Sequence, residues 1–189
     1  MTYIPIPFVA PSPDSEVLGQ LYLAFIQNLR AEEIQPILKK HGMEDMRGDQ
    51  WYPVQTILDI YKDIIDGREN VNDELVAIGM KGVDTVPFPP EIHDIPSAIN
   101  YIDQSSKLYS RNIPDDYGFH TIVVGKKHLH VIKNHPHPTA SGYGLIWAVV
   151  NRFKGADEVF TVNTFPDEVG KPTIFDVRWG LPEEMEDAE

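Results

Sequence analysis

Residues 118–133 read GFHTIVVGKKHLHVIK, and this stretch decides the fold. Two short runs rich in β-branched residues, 119–124 and 128–133, are separated by Gly125-Lys126-Lys127. Two such runs joined by a short glycine-containing loop are typical of an antiparallel hairpin. Before Gly118 the apolar residues recur at helical spacing, and after it they recur at every second position. The stretch therefore predicts that helices lead into an antiparallel sheet.

The chain downstream of this hairpin predicts one helix and a second hairpin. Over residues 139–153, Tyr143, Ile146 and Trp147 recur on one helical face. Residues 159–163 and 173–179 are then expected to pair as two further strands.

Five helices are predicted upstream of the first hairpin. Proline fixes the backbone of 86–90 (VPFPP) in an extended form, and Gly42 is a natural helix stop. The first predicted helix follows a cap at Asp14 or Ser15, the second covers 31–41, and the third begins at Pro53. The fourth runs from Asn72 or Asp73 to Gly79–Gly82, and the fifth covers 97–109. The expected fold class is α+β, with N-terminal helices packed on a four-stranded antiparallel sheet in the order helices–hairpin–helix–hairpin.

The chain predicts one domain with two short flanking segments. Residues 1–14 (MTYIPIPFVAPSPD) read as an extended arm packed on the body or on a second copy, so a homodimer is one expectation. Residues 15–181 form the single domain. Residues 182–189 hold five acids in eight residues and read as a frayed acidic tail.

Composition excludes several functions. The chain has 189 residues with 16 basic and 29 acidic side chains, for a net charge of −13. A nucleic-acid partner is therefore not expected, because such proteins neutralise phosphates with Lys and Arg. With no cysteine, the chain has no disulfide, no thiol nucleophile and no cysteine-ligated metal. No signal peptide or membrane span is apparent, so we expect a cytoplasmic protein.

Catalytic motifs are also missing from the sequence. No glycine loop opens a helix after a strand, since Gly142-Tyr143-Gly144 lacks both the third glycine and that context. The sequence has no nucleophile elbow and no H-E-x-x-H zinc motif. We therefore name no catalytic residue and expect a non-catalytic protein.

Histidine is concentrated in the first hairpin and the residues after it. His128 and His130 share one face of a strand, and His120 joins them if Val124 faces His128 across the turn. Three imidazoles on one face could hold zinc. No carboxylate is in obvious register with them, so we predict no bound metal and keep His120, His128 and His130 as the runner-up set. The HPHP segment at 135–138 is expected at the surface.

Large apolar and aromatic side chains suggest a pocket. They lie on the inward stripes of the predicted helices and strands, where they could pack as a plain core or leave a ligand-sized gap. The predicted ligand-binding residues are Tyr22, Phe25, Leu58, Tyr61, Ile102, Tyr109, Phe119, Leu129 and Trp147. Because the polar groups among them are mainly phenols, the expected ligand is an apolar small molecule.

Three stretches carry a resemblance to known families. They are VPFPP at 86–90, the hairpin with NHPHP at 134–138, and GLIWAVVNRF at 144–153 ahead of a last strand ending at Trp179. Their order resembles the ligand-binding fold shared by H-NOX (haem nitric-oxide/oxygen-binding) domains, 4-vinyl-reductase-like small-molecule-binding domains and TRAPP vesicle-tethering subunits.

The resemblance implies a small-molecule-binding or sensor domain that signals through a partner protein. Haem or another tetrapyrrole is a candidate cofactor. H-NOX domains carry a proximal histidine on the helix before the sheet and a Tyr-x-Ser-x-Arg clamp after the first hairpin. Here the helix 97–109 has no histidine, and the clamp region reads HPHPT at 135–139. The alternatives are a haem- or metal-binding protein, enzymatic or not, using the His-rich hairpin, and a pure protein-interaction module.

Overall fold

We analysed a computed structural model of the full chain. The structure describes residues 3–27, 31–66, 71–84, 86–165 and 171–186, without the side chains of Ala24, Phe25, Gln27 and Glu186. Within these ranges the helices are α1 (Gln20–Gln27), α2 (Ala31–Lys40), α3 (Val54–Asp66), α4 (Val71–Asp84), α5 (Ile95–Leu108), α6 (Thr139–Phe153) and α7 (Pro182–Glu186). The strands are β1 (Glu16–Leu18), β2 (Trp51–Pro53), β3 (Ser110–Arg111), β4 (Gly118–Gly125), β5 (His128–Asn134), β6 (Val159–Thr164) and β7 (Thr173–Gly180).

The larger sheet has four antiparallel strands in the order β4-β5-β7-β6. The predicted hairpin is confirmed, with His120 opposite Ile132. His128 faces Gly125 rather than the expected Val124, because the register shifts at an irregularity between Val123 and Gly125. The α+β class and the order of helices, hairpin, helix and hairpin are likewise confirmed. One face of this sheet packs against α5 and α6, because Leu129, Val131 and Phe175 project from it into the core.

A second sheet, of three short strands in the order β2-β1-β3, differs from the prediction. We expected Asp14 or Ser15 to cap a helix, but residues 16–18 form β1 and α1 begins at Gln20. Instead of capping a helix, the buried Ser15 hydroxyl donates to the carbonyl of Asn112 at 2.9 Å. The pairing of β1 with β2 and β3, which are distant in sequence, is therefore favoured over a helix cap at Asp14 or Ser15.

The C-terminal end of α4 and the segment after residue 181 also differ from the prediction. We expected α4 to end near Gly79–Gly82, but it continues to Asp84. A Cβ on Gly79 would lie 2.1 Å from the carbonyl oxygen of Ser141, so this glycine permits close packing against α6. Within the segment expected as an acidic tail, residues 182–186 form α7, where the Glu184 carboxylate accepts from the Leu181 N–H and pairs with Lys127. Residues 187–189 lie outside the described residues.

The arm of residues 3–14 lies against the body. Tyr3 stacks on Tyr117 with ring centroids 6.3 Å apart, and the Phe8 N–H donates to the carbonyl of Pro136 at 3.0 Å. The Gln55 side chain holds the arm by accepting from the Ala10 N–H and donating to the Phe8 carbonyl. Within the described ranges, every helix is too short or too polar to cross a bilayer.

Two clusters of buried side chains divide the interior. The first lies among α1 to α4 and includes Ile34, Leu58 and Ile64. The second lies between α5, α6 and the larger sheet, and includes Ile99 and Phe175. The candidate site lies where these two clusters meet.

Candidate functional site: a cavity at the junction of the two cores

A cavity of about 430 Å³ opens between the helices and the start of the larger sheet. Its lining includes Tyr22 of α1, Tyr61 of α3 and Gly82 of α4. Residues of α5, of α6 and of the segments that flank β4 and β5 also belong to the described lining. The volume is that of a small organic ligand rather than of a few waters.

Five of the nine predicted ligand-binding residues line this cavity. They are Tyr22, Tyr61, Ile102, Tyr109 and Phe119. These side chains come from four separate segments, namely α1, α3, α5 with its C-cap, and β4, so the fold brings them together rather than local sequence. Their role in binding stays a prediction.

Three of the other four predicted residues are absent from the described lining of the cavity. Leu58 is fully buried in the first core cluster, and Leu129 is buried in the second. Trp147 packs against Phe160 of β6, with ring centroids 5.2 Å apart. The side chain of Phe25 lies outside the described residues. Only part of each inward-facing row of side chains reaches the cavity, and the rest is buried in the core.

Sequence reasoning missed the two histidines at the cavity wall. We expected the HPHP segment at the surface, but His135 is buried and His137 is half-buried beside the cavity. The buried Lys133 ammonium fixes the segment by donating to the His135 carbonyl at 2.8 Å. The alternating prolines suggested exposure, and no local signal predicts the contact with Lys133 that holds the segment inside.

His137 sits in a cage of three tyrosines. Its Nε2 hydrogen-bonds the Tyr22 hydroxyl, and its Nδ1 lies 3.4 Å from the Tyr117 hydroxyl. The rings of Tyr22 and His137 stack at 5.7 Å, and Tyr61 meets His137 edge-on at 5.9 Å. A neutral imidazole has one donor and one acceptor nitrogen, so these contacts orient the ring without charging it.

His135 is the less satisfied of the pair. Its ring packs edge-on against Phe119 at 4.8 Å and against His137 at 5.1 Å. Its Nδ1 is buried and has no hydrogen-bond partner among the described residues. Buried polar atoms are nearly always paired in proteins. The Nδ1 of His135 is therefore, within the described part of the chain, an unsatisfied buried polar atom next to the cavity.

The cavity wall is electrically neutral. Burial and, secondly, the nearby Lys133 charge lower the pKa of His137 to about 3 and hold the pKa of His135 well below its usual range. Burial, aided by neighbouring tyrosines, raises the pKa of Tyr22 and Tyr117 well above 10. No Lys, Arg, Asp or Glu is among the described lining residues. At neutral pH the wall thus offers hydrogen bonds but no charge.

A buried carboxylate fixes the α5 side of the cavity to the sheet. Asp103 accepts from the Phe119 N–H at 2.8 Å and pairs with Lys107 of the next helical turn at 2.8 Å. Gly118 has φ of 123°, and a Cβ there would lie 2.1 Å from the same carboxylate oxygen. Gly118 therefore allows the close approach that sets Phe119 at the cavity.

A second cluster of polar side chains lies on the face of the larger sheet that is opposite the buried side chains of Leu129 and Val131. Asp176 of β7 is paired with His130 of β5 and contacts both His130 and His128. We had expected no carboxylate in register with these histidines, and the β5–β7 pairing provides one. His120 is apart from this cluster, because its Nε2 bonds the Asp116 carbonyl at 2.7 Å.

Comparison with known proteins supports the fold. No protein-family model and no curated protein matches the chain. Solved H-NOX structures do match. One from K. algicida has a TM-score of 0.64 at 13% identity over 86% of this chain and 96% of its own. A T. Tengcongensis H-NOX mutant has a TM-score of 0.64 at 15% identity over 87% of this chain and 98% of its own.

The chain has an H-NOX-like fold. A further match, an S. oneidensis H-NOX protein in an Fe(II)NO state, has a TM-score of 0.61 at 14% identity over 86% of this chain and 99% of its own. Two other matched structures carry titles on heme redox potential and on heme distortion in the H-NOX family. At such low identities these matches show the fold alone. The described lining of the cavity includes residues of α5 and both histidines of the HPHP segment.

Proposed function

We propose that this chain is a non-catalytic ligand-binding domain that senses an uncharged small molecule with a flat apolar body and a few hydrogen-bonding groups. The observation that carries the proposal is the wall of the 430 Å³ cavity, whose described residues are aromatic, aliphatic or neutral polar, with no charged side chain among them. A charged ligand would meet no charged side chain at this described wall, and the buried Lys133 ammonium near it already donates to the His135 carbonyl. An unpaired buried charge costs several kcal/mol. An uncharged ligand carries no such cost.

Haem binding is the second candidate. The H-NOX-like fold favours it over a purely apolar ligand, because titles of matched structures name heme. The residues present do not fit haem held in the H-NOX manner. The sequence of α5, IPSAINYIDQSSKL, has no histidine, cysteine or methionine to bind iron, and α5 presents Ile102, Ser105 and Ser106 to the cavity. No cationic side chain among the described lining residues faces the carboxylates of a porphyrin.

We further propose that ligand occupancy is passed to a partner protein through the arm. Tyr3 stacks on the cavity residue Tyr117, and Phe8 hydrogen-bonds Pro136 between the two cavity histidines. Ile4, Ile6 and Val9 of the arm are about half exposed, so the arm already presents an apolar surface. A ligand that moves Tyr117 or His137 therefore displaces groups on which this surface rests.

The experiment is a fluorescence titration with 1-aminoanthracene, a neutral aromatic probe. We expect saturable binding at one site per chain and a higher melting temperature, since a ligand that binds only the folded state stabilises it. The Gly82→Leu variant should abolish binding, because a Cβ on Gly82 meets nothing within 4 Å and the longer side chain enters the cavity. The control Lys81→Leu adds the same side chain at an exposed position of α4 and should bind normally.

Haemin is the competing probe in the same assay. We expect no stoichiometric complex with a sharp Soret band. One haem per chain, removed by Gly82→Leu and by His135→Ala but not by Lys81→Leu, would contradict the proposal and support the second candidate. Failure of the neutral probe to bind the unmodified chain would also contradict the proposal.

A further inference from the structure

Two histidines and an aspartate meet on the face of the larger sheet that is opposite the buried side chains of Leu129 and Val131. His128 and His130 project from this face of β5 because side chains two positions apart share a face. Asp176 of the neighbouring strand β7 lies directly opposite His130. None of the three lines the cavity, so this cluster is separate from the proposed ligand site.

The potential ligand atoms in this cluster already converge. The Nε2 of His130 lies 3.1 Å from Oδ1 of Asp176, and the Nε2 of His128 hydrogen-bonds the same oxygen. Ligand atoms of the three residues lie within 4.8 Å of one another. A tetrahedral metal with bonds of about 2.0–2.1 Å needs its ligand atoms roughly 3.3 Å apart.

Arg178 orients the carboxylate. Its Nε donates to Oδ2 of Asp176 at 3.1 Å, so the other oxygen, Oδ1, faces the two imidazoles. These contacts fix the orientation of the carboxylate, as is typical of metal ligands with a supporting hydrogen bond.

We propose that His128, His130 and Asp176 bind one divalent ion of the zinc class at the sheet surface. Two imidazoles and one carboxylate are ligands that Zn²⁺ and similar transition metals prefer, whereas Ca²⁺ and Mg²⁺ take oxygen ligands. The Asp176 side chain is 6% exposed, and those of His128 and His130 are 22% and 29% exposed. The site is therefore anchored on the aspartate side and open to solvent at a fourth coordination position.

The test uses the full chain without a polyhistidine tag, stripped with a chelator and titrated with Zn²⁺ alone. We expect one bound ion per chain by calorimetry and elemental analysis. Titration with Co²⁺ should give the visible absorption bands of a cobalt ion with nitrogen and oxygen ligands. The melting temperature of the stripped chain should rise on adding Zn²⁺.

Variants separate this site from adventitious binding. His128→Ala and His130→Ala should each weaken Zn²⁺ binding by more than the roughly tenfold that loss of a supporting partner costs. Asp176→Asn should do the same while keeping the shape of the buried side chain. The matched control is His120→Ala. It removes a histidine of β4 that lies on the same face of the sheet as His128 and His130 but outside the cluster. It should bind Zn²⁺ like the unmodified chain.

Two results would overturn the proposal. One is the absence of stoichiometric Zn²⁺ binding by the unmodified chain. The other is binding that survives in the double variant His128→Ala/His130→Ala, or that His120→Ala weakens equally. Melting curves recorded without metal show whether each variant is folded, and Co²⁺ absorption then reports on the ligands directly.

Discussion

At the scale of single residues, the cavity histidines make stability depend on pH. The folded-state pKa of His137 is about 3, held down by burial and then by Lys133, and the unfolded value is about 6.5. Below pH 6.5 the unfolded chain therefore binds a proton at His137 that the folded chain does not bind. The free energy of unfolding is thus highest above this pH and declines as the pH falls toward 3. Between pH 7 and 5 this one residue should lower the free energy of unfolding by about 2 kcal/mol.

Urea unfolding at the two pH values measures this loss. The pKa of His135 is lowered by the same causes, so it adds to the decline. In His137→Gln the difference between pH 7 and pH 5 should shrink, because glutamine does not titrate. An unchanged difference in this variant, with the unmodified chain losing stability, would show that other groups cause the decline.

A second residue-scale prediction concerns Asp103. Removing its carboxylate in Asp103→Ala leaves the buried Phe119 N–H without its acceptor and Lys107 without its ion-pair partner. Leaving a buried donor unsatisfied costs about 1–3 kcal/mol. The exposed neighbour on α5, Gln104→Ala, is the control and should change stability little. Equal effects of the two substitutions on urea unfolding would contradict this account of the α5–β4 junction.

At the scale of elements, two glycines of α4 should respond in opposite ways to the same substitution. Gly79→Ala forces a methyl group to within 2.1 Å of the Ser141 carbonyl oxygen and should destabilise the chain by about 1–3 kcal/mol. Gly82→Ala meets nothing within 4 Å and should stabilise it by up to about 1 kcal/mol through helix propensity. Thermal or urea unfolding of both variants tests the packing of α4 on α6. A stabilising Gly79→Ala would contradict it.

The elements with strong patterns were predictable from sequence. The β4–β5 hairpin and α6 follow from period-2 and period-3.6 spacing, which depends on neighbouring residues alone. The strands β1 and β3 were missed because three- and two-residue strands carry almost no pattern, and their pairing joins residues far apart in sequence. The continuation of α4 through Gly79 was missed because its cause is the approach of α6.

The site was predictable only in part, for the same reason. Inward stripes identified Tyr22, Tyr61 and Phe119, but could not tell a cavity wall from a core position such as Leu58. Proline-rich composition favoured a surface position for His135, whereas a hydrogen bond from the buried Lys133 to its carbonyl holds the segment inside. Asp176 could be paired with His130 only once the β5–β7 register was known.

At the scale of the whole molecule, the fold and the side chains give different indications of the ligand. The chain has an H-NOX-like fold, and the titles of two matched structures name heme. Its cavity is lined in part by α5 and by the segment after β5. The side chains of this chain leave that cavity without an iron ligand on α5 and without charge at its described wall. We therefore take the fold as a binding scaffold and the wall as the determinant of the ligand.

A crystal structure of the chain soaked with 1-aminoanthracene tests this central claim most directly. We expect density for the probe inside the cavity, between α5 and the two histidines, with its amine within hydrogen-bonding reach of a wall group such as His135 or Tyr109. A cavity filled by the chain's own side chains, or a probe bound only elsewhere, would contradict the account.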